Sequence, residues 1–341
     1  MEKNYIQHEE KVIQTNKQFS HVMAIALDPR TQYKDGVIRC IVSREGDATV
    51  KGYVDRSELH KVQGNSLEHF EISNHLIIKN EKEIIDRLTP LGWDFIGLED
   101  PDIWIDEINN LIHLYFTIPI KPSGKMHDGG EKIKIHLGHA VGKDLNSLEM
   151  TIPVLMDTIQ LSAKEVSIAP LNSKGFRYNL IESRDRQADN TYSIVKVAIA
   201  EDMGKPWQYG ETVFHPKEHN IPWIGGHASP GPLLPKNFID VGEGKLLGII
   251  NGREANQKIG DKIKYGMFSV GLFIYDYENG KIDWVSSIPF IQDSEATTIT
   301  FASQFIETEK GKGILYAHVD DSFVRAYTLD AEKIRKLLPH I

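Results

Sequence analysis

All-β is the fold class that this 341-residue sequence predicts, and three observations predict it. Five hairpins of one type recur along the chain. Their returning strands begin near residues 37, 111, 176, 245 and 314, roughly 65–75 residues apart. Helical periodicity is confined to three short stretches. Even spacing of this length signals radial repetition, in which no unit buries its own faces and each packs on its neighbours. The expectation is a five-bladed β-propeller with a short C-terminal helix, residues 1–341 forming a single domain. An elongated pair of β-sandwiches is the competing architecture, and sandwiches seldom keep so even a long spacing.

Taken in order, Glu9 to Gln18 is expected as a short helix, and the first hairpin runs from Met23–Asp28 through Lys34–Gly36 into Val37–Val42. A second short helix is expected over Glu81–Leu88. The second hairpin opens on Gly97-Leu-Glu-Asp-Pro101, runs through Ile103-Trp-Ile105, turns over Asp106–Asn110 and returns along Leu111–Thr117. Pro101 fixes its own φ and biases Asp100 towards the extended region, so this acid is expected on a stiff local backbone. The third hairpin is Val166–Pro170, a turn at Asn172–Gly175, then Phe176–Ile181. The fourth is Gly231–Leu234, a turn at Gly242–Gly244, then Lys245–Ile250. The fifth is Ile299–Ile306, a turn at Glu309–Gly313, then Ile314–Ala317. Further strands are expected at Lys132–Ala140, Thr191–Ala200, Phe268–Tyr277 and Phe323–Thr328. The chain closes on a helix over Asp330–Leu338, where Asp330 can cap and Ile334, Leu337 and Leu338 share a face.

Composition narrows the function. With 40% hydrophobic and 26% charged residues the chain reads as an ordinary soluble globule. A net charge of −9 with no basic stripe argues against a nucleic-acid partner. No apolar run approaches the ~18 residues of a membrane span. The charged N-terminus lacks an apolar signal core, so a cytoplasmic location is expected. The single cysteine, Cys40, lies in the apolar run Val37–Val42 and reads as a buried, inert thiol. No cofactor is implied, no ligand spacing argues for a metal, and oligomeric state is unreadable.

The hairpins carry polar residues at their open ends: Asp28 with Arg44 and Glu45; Glu99, Asp100 and Thr117; Lys164 and Glu165 with Glu182 and Arg184; His227 and Ser229 with Arg253 and Glu254; His318, Asp320 and Asp321. A ring of carboxylates interspersed with Arg, Lys and His suits a polar, multi-hydroxyl ligand. Several carboxylates without Ser-His-Asp or zinc spacing point to glycosidic-bond chemistry, in which one carboxyl protonates the leaving oxygen and another activates water or attacks. Of the five tryptophans, Trp223, next to the His227 loop, is the best candidate platform for a sugar ring. The segment Lys121–Gly130 reads as an insertion at the pocket rim.

From about Met23 to Leu338 the chain resembles glycoside hydrolase family 130, the β-mannoside phosphorylases and mannosidases. The likeness rests on Ser43-Arg-Glu45, Gly97-Leu-Glu-Asp-Pro101, Ala163-Lys-Glu-Val166, Ser183-Arg184, Gly231-Pro232 and Ala317-His-Val-Asp-Asp321, in that order. It implies an inverting enzyme with Asp100 as general acid. It also implies that Arg44, Lys164 and Asp321 hold the sugar, and that Arg184 lies where phosphate or water attacks. Two positions depart from the pattern: Asp102 replaces the Arg usual after Glu-Asp-Pro, and Ser183 replaces a His. The phosphate cradle therefore looks incomplete, which favours water as attacker over inorganic phosphate, with Glu182 as base and Glu254 in reserve. A second, more distant likeness is to the family 43 arabinofuranosidases and xylosidases, with Asp28 as base, Asp100 as orienter and Glu165 as acid. A sugar-binding propeller without catalysis is the non-enzyme alternative.

Overall fold

The computed structural model describes residues 3–13, 16–47, 49–50, 53–124, 133–158, 161–187, 190–260 and 262–339. It is all-β, and all five expected hairpins form. Their first strands are His21–Leu27, Glu99–Asp106, Lys164–Ser167, His227–Leu233 and Thr300–Glu309. Their returning strands are Asp35–Glu45, Leu111–Pro122, Arg177–Gln187, Lys245–Arg253 and Lys312–Val319. Further antiparallel strands extend each hairpin, including Lys134–Gly142, Asn190–Ala200, Phe268–Asp276 and Phe323–Asp330. The third and fourth sheets are joined by a single parallel pair, Ser193 with His227.

The sheets are apolar on both faces because each is covered by its neighbours. Leu59 and Val37 of the first sheet pack with Leu114 and Ile118 of the second. Tyr115 and Leu137 of the second meet Ile181 and Ala198 of the third. Leu180 and Val197 meet Ile250 and Phe273 of the fourth, and Leu247 and Ile249 meet Phe305 and Leu315 of the fifth. Ile306 and Tyr316 of the fifth return to Ile25 and Ile38 of the first. The five first strands touch in the same cyclic order and together line a cavity of about 230 Å³.

Each first strand is interrupted at one equivalent level. Its pairing with the returning strand slips at Ala24, at Asp100-Pro101, at Glu165, at Gly231-Pro232 and at Ser303. These are β-bulges, which re-aim a side chain at the rim of a sheet. Ala24, Asp100 and Glu165 take left-handed backbone there, with φ of 49°, 48° and 49°. For residues bearing a Cβ this conformation costs about 1–2 kcal/mol each. All five bulged positions line the cavity.

The helix expected over Glu9–Gln18 does not form; Tyr5–Ile13 is a strand that pairs with Phe323–Asp330. Its neighbour in space is the far end of the chain, and that pairing overrides local propensity. The helices at Glu81–Leu88 and Ala331–Arg335 form as expected, the latter shorter, with the Asp330 carboxylate accepting from the N–H groups of Glu332 and Lys333. The segment Lys121–Gly130 lies mostly (125–130) outside the described residues.

Arg325, fully buried, ties the two chain ends together. It forms a 2.7 Å ion pair with Asp293, pairs with Glu295, and donates to the carbonyls of His8 and Glu9 at 2.8 and 2.7 Å. Asp293 also accepts from the Tyr327 hydroxyl at 2.6 Å. Replacing Arg325 by Met strands Asp293 without its cation, and urea unfolding is expected to show a loss of about 3–5 kcal/mol. A loss below about 1 kcal/mol would mean that the terminal strand is held by other contacts.

Candidate active site

The site begins with a close approach of backbones. Gly97 (φ 116°) bridges Ser57 of the first sheet, and a Cβ at Gly97 would fall 1.9 Å from the Ser57 carbonyl oxygen. Only glycine permits this contact, and it seats the second hairpin against the first sheet. Glu99 and Asp100 then face Arg39, which projects from the apolar strand Asp35–Glu45. The guanidinium donates to Asp100 Oδ1 at 2.7 Å, to Glu99 Oε1 at 2.7 Å and to Ser57 Oγ at 2.9 Å. Asp100 is 8% exposed.

Glu165, at the next bulge, shares a hydrogen bond with the Asp100 carboxyl. Burial and the Asp100 charge raise Glu165 well above the carboxylate range. Burial works against Asp100 too, but the charges of Arg39 and Lys164, with hydrogen bonds from Arg39 and Glu165, hold it below its ordinary value. Asp100 Oδ2 is buried and meets no N–H or hydroxyl donor among the described residues. Burial and the Asp100 charge thus favour the protonated form of Glu165, while Arg39 and Lys164 favour the ionised form of Asp100. Glu99, despite Arg39, is pushed up to about 7 by burial.

Beside this pair the charge pattern reverses. Glu182 stands opposite Lys164 in strand register, with Nζ at 3.8 Å, and His227 Nε2 donates to its Oε2 at 3.0 Å. Burial would raise Glu182, yet His227 and Lys164 bring it down to about 2. Burial in turn lowers His227 below its ordinary value. Lys164 therefore stands close to two carboxyls driven in opposite directions, Glu165 upward and Glu182 downward.

The other expected residues fall into three groups. Arg44 grips Asp55 with two 2.7 Å hydrogen bonds and lies 3.7 Å from Asp321, which is also 3.3 Å from His318 Nε2. Arg253 lies over the Tyr265 and Phe268 rings at 4.4 and 5.3 Å, beside His227. Arg184 is bound to Asp157 at 2.8 Å and to the Ile133 carbonyl. Asp102 lines the cavity, and burial pushes it up to about 7.

Three expectations are corrected. Asp28 ends its strand at the turn, remote from Asp100. It caps the turn Pro29–Thr31 and pairs with Arg30 at 2.9 Å. The first strand enters at His21, so its open end is the opposite one. Trp223 is core: its ring packs on Gly252 and Gly271, and its N–H donates to the Ser286 carbonyl. Glu254 is exposed, and among the described residues its carboxylate accepts only from the nearby Met267 N–H. Arg39 and Asp55 were missed by sequence reasoning, although an arginine inside the apolar run Val37–Val42 was itself a signal, since a buried arginine requires carboxylates. Cys40 is buried and its thiol is pushed up to about 12. Among the described residues no group of three or more His, Cys, Asp or Glu side chains is arranged to hold a metal, and no helix is long and apolar enough to cross a membrane.

The Glu182 value gives a stability signature. Its folded-state value lies below the unfolded 4.5, so its contribution is complete above pH ~4.5 and is lost as pH falls towards about 2. Unfolding free energies from urea titrations at pH 6 and pH 3 are expected to fall less for Glu182→Gln than for the parent, by up to about 2 kcal/mol. Parallel curves would mean that Glu182 is not held as a carboxylate.

No protein-family model matches the sequence, and no curated protein sequence matches it. Solved structures do match its fold. A β-1,2-mannobiose phosphorylase from Listeria innocua shares 13% identity, covers 98% of this chain and 99% of its own, and superposes with a TM-score of 0.65. A structure described with glycoside hydrolases of the GH130 family that target β-1,2 mannosidic linkages in Candida mannan shares 15% identity over 96% and 94% of the two chains, with a TM-score of 0.63. A mannose phosphorylase from Leishmania mexicana, in complex with phosphate ion, shares 14% identity over 97% and 91%, with a TM-score of 0.54. The structural neighbours of this chain thus include mannoside phosphorylases and a structure described with the GH130 family, at near-full coverage and at identities that speak to fold alone.

Proposed function

We propose that this chain is a five-bladed β-propeller enzyme that cleaves β-linked mannosides or related oligosaccharides with inversion, using water as attacker. The observation that carries the reading is the placement of Asp100, buried and held by Arg39 at 2.7 Å, beside half-buried Glu165 on the same cavity, with Glu165 raised well above the ordinary carboxylate range. Such a pair is a proton donor at neutral pH, as glycosidic cleavage needs. Its proton passes to the leaving oxygen as the glycosidic bond breaks. Water attacks the anomeric carbon from the opposite face, and the Glu182–His227 dyad takes the proton that water loses. Glu182 alone, held near 2, is a weak base; hydrogen-bonded to His227, it stabilises the imidazolium formed when the neutral ring accepts that proton. Arg44, Asp321, Lys164 and Arg253 supply charged hydrogen bonds and an aromatic-backed rim for sugar hydroxyls.

Attack by inorganic phosphate is the second reading. It is favoured by the cations set against Glu99, Asp100 and Glu182, namely Arg39 and Lys164, and by the phosphate ion bound to one structural neighbour. The family 43 arrangement lacks support, because Asp28 is remote from the Asp100–Glu165 pair. A binding module that turns over nothing is the third.

A product assay on manno-, arabino- and xylo-oligosaccharides, with and without phosphate, separates these. Free reducing sugar independent of phosphate is expected. Sugar 1-phosphate formed only with phosphate would establish the second reading. On an active substrate, Asp100→Asn and Glu165→Gln are each expected to lower kcat by about 10²–10⁴ while binding survives. The parent kcat/KM should fall as pH rises through the apparent value of the pair, and Glu165→Gln should remove that alkaline limb. Full activity in both variants would defeat any enzyme reading built on this pair.

A further inference from the structure

Beyond Glu182, two residues along the same strand and on the same face, lies a second charged cluster, at the seam of the second and third sheets. One terminal nitrogen of Arg184 donates to both oxygens of Asp157, at 3.0 and 2.8 Å, and the other donates to the Ile133 carbonyl at 2.8 Å. The Arg184 and Asp157 side chains are 9% and 3% exposed. Asp157 also accepts from the Ile135 N–H, and its own N–H donates to His136 Nδ1, each at 2.8 Å. Because Nδ1 accepts, the neutral His136 ring carries its proton on Nε2. That Nε2 and the Arg184 Nε are both buried donors that meet no acceptor among the described residues.

Buried donors without partners ask for an oxygen-rich ligand. The charge of the cluster decides which kind. The groups in direct contact, one guanidinium, one carboxylate and one neutral imidazole, sum to zero, with Arg186 and Lys134 acting on them from further off; what opposes a phosphate dianion is the Asp157 carboxylate already seated on the Arg184 donors. Phosphate would have to approach a guanidinium nitrogen already 2.8 Å from a carboxylate oxygen, and the two anions would repel. With the carboxylate neutralised, the same three groups would become a cationic set of donors of the kind that binds phosphate.

We propose that Asp157 selects the acceptor of the reaction: by occupying Arg184 it keeps inorganic phosphate out and leaves water as the attacker. This rests on the mannoside-cleaving reading above, but its test does not require turnover. Inorganic phosphate is titrated into the intact chain, into Asp157→Asn and into the double variant Asp157→Asn with Arg184→Met, by calorimetry and by phosphorus NMR. Asparagine keeps an oxygen for the Ile135 N–H, and thermal melting reports whether the fold is retained.

The parent is expected to show no saturable phosphate binding up to about 10 mM, Asp157→Asn to bind at least about tenfold more tightly, and the double variant to lose that gain. On an active mannoside, Asp157→Asn should also form sugar 1-phosphate when phosphate is present. Submillimolar binding by the parent, or a folded Asp157→Asn that binds no better than the parent, overturns the assignment. Should Asp157→Asn fail to fold, the parent decides: phosphate-independent turnover without phosphate binding supports the role of Asp157, and tight phosphate binding removes it. A parent that cleaves no glycoside under any condition defeats the proposed function, while the phosphate titrations still decide whether Asp157 guards Arg184.

Discussion

The fork of Arg39 between Glu99 and Asp100 is the contact on which this site depends. Two consecutive acids on a bulged strand repel each other, and burying them raises the cost. A guanidinium meets both because it presents parallel donors in a rigid plane. It comes from a different sheet, so the same interaction joins the first two units of the ring. Gly97 makes the approach short enough, and Ser57 completes the donor set. Without this cation Asp100 would lose the largest charge that favours its ionised form, and Glu165, which burial already raises, would lose the added push of an ionised neighbour.

From that constraint follows a division of labour between carboxyls of similar intrinsic acidity. Glu165 faces a negative neighbour and is driven towards its neutral form; Glu182 faces Lys164 and His227 and is driven towards its ionised form. Desolvation acts on both, so the sign of the nearest charges decides the outcome. The bulges are part of this arrangement. Asp100 and Glu165 hold left-handed backbone in which a side chain is strained, and the strain turns both carboxyls towards the cavity. Ala24 holds the same conformation without a functional group, so the bulge belongs to the ring scaffold, and two of its five positions carry the acids.

Much of the architecture was legible because it is written in local signals. Turn residues such as Asn172 to Gly175 and the cap at Asp330 act over a few positions, and all five hairpins are bounded by such signals. The clustering of Asp100, Lys164, Glu165, Glu182 and His227 was also legible, since hairpins of one register present equivalent ends. The N-terminal strand was not, because its partner lies more than three hundred residues away at Phe323–Asp330. Asp28 was misplaced because an acid beside a strand reads the same at either end. Trp223 was misread because ring size does not say whether a face meets glycines or solvent.

Composition, turn chemistry and repeat spacing by themselves determined that this is an all-β protein with five hairpins of one type carrying acids and bases at their strand ends. Those signals are local, and the backbone obeys them before any long-range contact forms. Tertiary structure alone decided which acid keeps its proton, which carboxylate is ionised and which cations are already engaged. Those properties come from desolvation and from charges a few ångströms away, and the distances are set by Arg39, Asp55 and Asp157, residues far in sequence from the groups they control.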